Sequence, residues 1–219
     1  MNIDGEGHIL VSPREISERI HESHKLINNV LIPGTPVAFP THEGYCDFLN
    51  ACADTLGIHP RNLLMRGSSK LGFSVSPHID SIWVSMHPES DLDFAIIDPD
   101  YYHYLDREIR MYERHLKNRA LRGPEYKKSV SRRGQRAFYT YRYFDLPDIP
   151  CVADHNARLK ALPVKACCGL PRPIDAFVFR DWWSLYSRWE YDLQDLGKAL
   201  NAGTLPKGGD APRPYEDTL

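Results

Sequence analysis

Two stretches decide how this chain is read: Leu63-Leu64-Met65-Arg66-Gly67-Ser68-Ser69-Lys70-Leu71-Gly72 and Ser90-Asp91-Leu92-Asp93-Phe94-Ala95-Ile96-Ile97. In the second, two acids open an apolar run. Alternate side chains of a strand share a face, so a strand here projects Asp91 and Asp93 together and sends Leu92 and Phe94 into a core. Two adjacent carboxylates repel and raise each other's pKa. A divalent cation removes that penalty. Mg²⁺ or Mn²⁺ suits hard oxygen ligands and takes the rest of its shell from waters and phosphates. Two such ions about 3.5–4 Å apart can clamp the attacking and leaving oxygens of a phosphoryl transfer.

The first stretch reads as a strand, Leu63 to Arg66, ending in a tight turn. Gly67 lets the backbone approach a ligand closely. Backbone N–H groups and the Ser68 hydroxyl can then hold phosphate oxygens. Lys70 can add a positive charge, and Gly72 lets the chain turn again.

Outward from these stretches the elements follow from caps and periodicity. Residues 1–11 read as a loose leader. Ser12-Pro13-Arg14-Glu15 is a capping box, with Ser12 as cap, Pro13 at the first helical position and Glu15 reaching back. Ile16, Ile20, Ile27 and Leu31 continue one helical face up to Pro33-Gly34. A second helix starts after Thr41 and runs to Gly57. Asp98-Pro99-Asp100 closes the acidic strand and opens a helix from about 101 to 120. A further strand is expected at 174–179. Asp181 caps a long amphipathic helix with Trp182, Leu185, Trp189, Leu193, Leu196 and Leu200 on one face, read as core packing. Residues 12–202 form one domain, and 203–219 read as a tail without order.

Composition is that of a globular chain: 219 residues, 42% hydrophobic, 26% charged, net charge −2. Apolar runs are too short to span a bilayer, and the acidic start is unlike a signal peptide, so the cytoplasm is the expected compartment and no membrane partner is expected. Cys46, Cys52, Cys151, Cys167 and Cys168 show no framework spacing, which fits reduced thiols. Cys151 with His155, and His21 with His24, read as incidental rather than as metal ligands. From Arg107 to Arg142 basic residues predominate. Arg132, Arg133 and Arg136 stand among Tyr139, Tyr141 and Tyr143, a mixture that suits a triphosphate, base stacking or single-stranded nucleic acid, and equally a solvated surface.

The order strand, Gly67-Ser68, short turn with Gly72, then Ser90-Asp91-Leu92-Asp93-Phe94 resembles the nucleotidyltransferase superfamily that includes DNA polymerase β. It looks most like the small bacterial members: minimal nucleotidyltransferases, aminoglycoside nucleotidyltransferases and the nucleotide second-messenger synthases of phage defence. The likeness covers Leu63 to Ile97. It implies an α/β fold with a small mixed sheet flanked by helices. It implies that Gly67, Ser68, Ser69 and Lys70 bind the nucleotide, and that Asp91 and Asp93 hold two Mg²⁺ or Mn²⁺ ions. It also implies a third carboxylate on a later strand. Asp175, at the start of Ile174-Asp175-Ala176-Phe177-Val178-Phe179, is the candidate; Asp181 reads better as a helix cap. The spacing between the two motifs exceeds the family's. The excess, 76–88, with His78, Asp80, Trp83 and His87, reads as an inserted loop or hairpin.

The expected activity is transfer of a nucleoside monophosphate, from ATP or another NTP, to an acceptor hydroxyl, with release of pyrophosphate. The acceptor can be a nucleic acid, a protein side chain or a small molecule. The alternative is a non-catalytic nucleotidyltransferase-like module serving as an antitoxin or complex subunit, with a partner protein of a defence or toxin–antitoxin pair. A kinase or P-loop ATPase is disfavoured, because neither G-x-x-x-x-G-K-[ST] nor a kinase signature is present.

Overall fold

A computed structural model of the chain describes residues 2–88, 90–116, 138–140, 150–162 and 174–215. The leader forms a two-stranded ribbon, β1 (Asn2–Ile3) with β2 (Ile9–Leu10). Helix α1 (Pro13–Glu18) opens on the expected capping box. The Glu15 N–H donates to Ser12 Oγ at 3.2 Å, and the Ser12 N–H donates to the Glu15 carboxylate at 2.9 Å.

The expected unbroken helix from here to residue 32 needs correcting. The chain leaves the helix after Glu18, restarts as α2 (Ser23–Leu26) and ends in a wider π turn over Ile27–Leu31. Ile16, Ile27 and Leu31 still bury into one core, so the apolar spacing runs through the break and conceals it. Glu22 sits at the break and bridges it with ion pairs to Arg19 and Lys25.

Helix α3 (His42–Leu56) starts on a Thr41 cap and stops at Gly57, which is left-handed at φ 71°. Strand β3 (Leu63–Arg66) runs straight into the short helix α4 (Gly67–Leu71). Strand β4 (Leu92–Ile97) follows the intervening loop and leads into α5 (Pro99–Leu116). Asp98 caps α5, accepting from the Tyr101 N–H at 2.8 Å. Strand β5 (Phe138–Thr140), helix α6 (Pro150–Lys160), strand β6 (Ile174–Phe179) and helix α7 (Trp182–Asn201) complete the order. Asp181 caps α7, accepting from the Ser184 N–H at 2.7 Å.

The fold is α/β, with a small mixed sheet in the order β3-β4-β6-β5. β3 and β4 are antiparallel, β4 and β6 parallel, β6 and β5 antiparallel. The parallel pair requires a crossover, which residues 98–173 provide. Alternation along β4 divides the molecule into two cores. Leu92, Phe94 and Ile96 join Leu63, Met65 and Val178 against Phe48, Cys52 and Leu56 of α3 and Leu105 of α5. On the other face Ala95, Ile97, Leu64 and Phe179 pack on Leu185, Trp189, Leu193 and Leu196 of α7, and on Leu26, Ile27 and Val30. Trp182 is 46% exposed, and the buried stripe of α7 begins one turn later than expected, at Leu185.

The 76–88 excess folds back on itself, as a hairpin-like loop would. The Ser74 N–H donates to the Val84 carbonyl and the Trp83 N–H to the Ser74 carbonyl. Trp83 and Ile82 anchor the loop in the α7-side core. Residues 203–215, expected to lack order, run back over that core. Leu205 is buried there. The Pro206 carbonyl accepts from the Trp83 indole N–H at 2.8 Å. Gly208 lies so near α1 that a Cβ on it would meet the Pro13 carbonyl oxygen at 2.1 Å, a backbone approach that only glycine permits. Among the described residues no helix is long and apolar enough to cross a membrane.

Candidate active site

The junction of β3 and α4 is built around one contact. Gly67 has φ 64°, a conformation that costs other L residues roughly 1–2 kcal/mol. A Cβ there would stand 2.0 Å from Asp93 Oδ2 and 2.8 Å from Asp93 Cγ. The turn backbone therefore lies directly against the acid, and glycine is required twice, by φ and by space.

Strand register explains why these residues meet. Arg66 pairs with Asp93 across β3 and β4, which puts Gly67 one residue beyond the pair. On the other side of β4, Asp93 pairs with Asp175 across the parallel strands β4 and β6. Paired residues of neighbouring strands share a face. Positions 93 and 175 thus occupy one face of the sheet on adjacent strands, on the side that carries Ala95 and Phe177. Asp175 is described through its backbone. The Arg66 guanidinium carbon sits 4.0 Å from the centre of the Phe177 ring, so an Arg–aromatic contact lies two residues along β6 from position 175.

Asp91 is exposed immediately before β4, and Asp93 is half-buried. Among the described residues no three Asp, Glu, His or Cys side chains are gathered as a metal group. The expected set contributes two described side chains, Asp91 and Asp93, with the 175 backbone in register. Carboxylates at these positions fit a hard cation such as Mg²⁺ or Mn²⁺, which binds oxygen.

Ser68 faces a cavity of about 660 Å³. Ser69 is turned inward: it is buried, and its hydroxyl donates to the Arg66 carbonyl at 2.6 Å, closing the first turn of α4. Lys70 is also placed inward. It is 3% exposed, and its ammonium donates to the carbonyls of Pro33 and Gly34, the latter at 2.6 Å. Burial lowers its pKa to about 8. The side chain expected to add charge beside the phosphates instead ties α4 to the 33–34 loop. The backbone reinforces this tie, because the Ser69 and Lys70 carbonyls accept from the Ala38 and Val37 N–H groups.

The cavity brings together pieces that the sequence left apart. Ser68 of the Gly-Ser turn and Ser90, next to Asp91, share its walls with Ser74, Ser85 and His87 of the long loop and with Arg213 and Tyr215 of the C-terminal segment. Sequence reasoning missed the C-terminal contribution. Pro212-Arg213-Pro214-Tyr215 has no periodicity, yet two prolines make it an extended dipeptide repeat suited to lying along a loop edge. Arg213 does this: its N–H donates to the Trp83 carbonyl at 2.7 Å, and its own carbonyl accepts from the Ser85 N–H at 2.8 Å.

Other expected features fall elsewhere. Cys151 and His155 both lie in the core between α5 and α6, and His155 Nδ1 bonds the Tyr101 hydroxyl at 2.5 Å. Burial pushes the His155 imidazole down to about 4. Arg107 and Arg110 pair with Glu108 and Asp106 on α5. Arg132, Arg133 and Arg136 lie outside the described residues. Comparison with protein-family models, with curated proteins and with solved structures gives no match.

Proposed function

We propose that this chain is a metal-dependent nucleotidyltransferase, moving a nucleoside monophosphate from an NTP to an acceptor hydroxyl. The observation that supports this best is the packing of Gly67 against the Asp93 carboxylate, with position 175 in register on the next strand. A tight Gly-Ser turn touching one member of an acid pair, with position 175 in register on the next strand, supports a site in which phosphate-holding and cation-holding groups adjoin. A sheet that needed these residues only as surface would not need a glycine fitted to a carboxylate.

In this reading the turn at Gly67 and Ser68 holds the triphosphate through backbone N–H groups and the Ser68 hydroxyl. Asp91, Asp93 and Asp175 hold two Mg²⁺ or Mn²⁺ ions. When bound, the ions neutralise charge on the triphosphate and lower the pKa of the acceptor hydroxyl. Ser69 and Lys70 support the turn from behind rather than touching the nucleotide.

Calorimetric titration of Mn²⁺ into the protein, with and without a non-hydrolysable NTP analogue, tests the site. Phosphates complete the coordination shell, so metal affinity should rise about tenfold or more with the analogue present. Equal affinity in both titrations would contradict the shared site.

A further inference from the structure

The cavity beside Ser68 is built largely by the long loop and the C-terminal segment, and its walls have a distinct chemistry. We propose that it binds a small, uncharged molecule bearing a polyhydroxylated ring, either a sugar or the ribose of a nucleoside, and that this molecule is the acceptor. The role as acceptor rests on the nucleotidyl-transfer reading; the binding does not.

Size restricts the ligand. A volume of about 660 Å³ falls in the range of small-molecule sites and is far too small for a folded protein or a duplex. Hydrogen-bonding capacity points to the same ligand. Among the described residues the Ser85 hydroxyl has no protein partner. Ser74 Oγ accepts from the Ser76 N–H at 3.2 Å, and Ser90 Oγ accepts from the His87 N–H at 3.0 Å, so each keeps its own O–H to donate. Such a wall matches a ring of hydroxyls, each both donor and acceptor.

Charge points the same way. Among the described residues of the lining, Asp80 and Arg213 carry charge. The Arg213 guanidinium is committed to the loop, with Nε donating to the Ile82 carbonyl and Nη2 to the Ile79 carbonyl, each at 2.9 Å. Among the described residues no lysine lines the cavity, whereas a polyanionic strand draws its affinity from Lys and Arg. One wall of the cavity is aromatic. Tyr215 stacks on His87 with ring centres 3.6 Å apart and planes at 15°, giving a flat surface for the apolar face of a ring.

Location then assigns the role. Ser68 belongs to the phosphate-holding turn, and Ser90 adjoins Asp91, so a ring in this cavity borders both. In the transfer, the oxygen of a hydroxyl on the ring bonds the α-phosphorus and the bond from that phosphorus to the α–β bridging oxygen breaks. Pyrophosphate leaves with that electron pair, and the hydroxyl proton passes to solvent.

Saturation-transfer NMR on the metal-free full chain tests the binding without any turnover. The probes are methyl α-glucoside, adenosine, 2′,3′-dideoxyadenosine and a single-stranded oligothymidylate. The sugar or adenosine should bind, and which one does identifies the source of the ring. Dideoxyadenosine should bind about tenfold more weakly for want of the 2′ and 3′ hydroxyls. Ser85→Trp should fill the cavity and abolish the signal. Tyr215→Ala, at a 42% exposed residue, should weaken binding about tenfold and serves if Ser85→Trp fails to fold. The proposal is overturned if neither ring compound binds, if dideoxyadenosine binds as well as adenosine, if the oligothymidylate binds more tightly than both, or if the variants bind as the wild type does. Failure of the nucleotidyl-transfer reading would show separately, as absent pyrophosphate release, and would leave this result standing.

Discussion

The Gly67 α-carbon lies directly against the Asp93 carboxylate, so close that a Cβ at 67 would overlap Oδ2 at 2.0 Å. Gly67→Ala must therefore distort the turn, move the acid or both. The left-handed φ alone costs about 1–2 kcal/mol, and the overlap adds to it. In a chain of this size each kcal/mol shifts the melting temperature by roughly 2–4 °C. We expect Gly67→Ala to melt at least about 5 °C lower. The same change in an Asp93→Ala background should cost clearly less, because the overlapping atoms are gone. Thermal melts of the four proteins in this cycle check the contact; additive costs would deny it.

Lys70 gives a second prediction, because its amine holds two carbonyls rather than facing the nucleotide. Lys70→Met keeps the stem and leaves the Pro33 and Gly34 carbonyls short of a donor. Stability should fall by about 1–3 kcal/mol. NTP affinity, measured by equilibrium dialysis on the folded variant, should stay within about threefold, since no phosphate contact is lost. A large loss of NTP affinity at unchanged stability would return Lys70 to the phosphates.

His155 sets a pH dependence. Burial holds its folded pKa near 4, below the ordinary 6.5, while Asp154 opposes the shift and Arg158 adds to it. The unfolded chain takes up the proton first, so stability is full above about pH 6.5 and is lost as pH falls toward 4, by an amount on the order of 3 kcal/mol. His155→Leu should start less stable, having lost the Tyr101 bond, but should show a shallower decline over that window. Melting temperatures from pH 7 to pH 4 decide this; parallel curves for the two proteins would contradict it.

Much of the frame was legible because caps and alternation are local. Ser12 with Glu15, Thr41 with Gly57 and Asp181 fix helix ends through their own hydrogen bonds, and the 174–179 strand stands at its expected bounds. The break at 19–22 was not legible, because Ile16, Ile27 and Leu31 keep helical spacing across it. Lys70 misled for a different reason. A lysine after Gly-Ser reads as charge for a phosphate, and only the three-dimensional path of Pro33-Gly34 supplies the carbonyls that hold it. The cavity was hidden because Ser68 and Tyr215 are far apart in sequence and meet through the long loop, which Arg213 fastens.

A variant at Asp175 is expected to separate binding from chemistry. Its backbone pairs with that of Asp93, so a carboxylate there would complete the charge needed to hold a second cation beside a polyanion. Asp175→Ala should leave NTP–Mg²⁺ binding within a few fold and slow turnover by about three orders of magnitude or more, the pattern of a group acting chiefly in the transition state. Full turnover in this variant would show that the third acid lies elsewhere.

Pyrophosphate release is the measurement that decides whether nucleotidyl transfer occurs at the Asp91–Asp93 pair. Wild type and Asp93→Asn are incubated with each of the four α-labelled NTPs, Mg²⁺ or Mn²⁺, and a mixed set of sugar, nucleoside, oligonucleotide and protein acceptors. Metal-dependent pyrophosphate release, with label transferred to an acceptor, is expected in the wild type, and loss of both is expected in an Asp93→Asn protein that folds as the wild type does. Equal pyrophosphate release from Asp93→Asn, or none from the wild type with any NTP and acceptor, would contradict it and leave the non-catalytic module as the better reading.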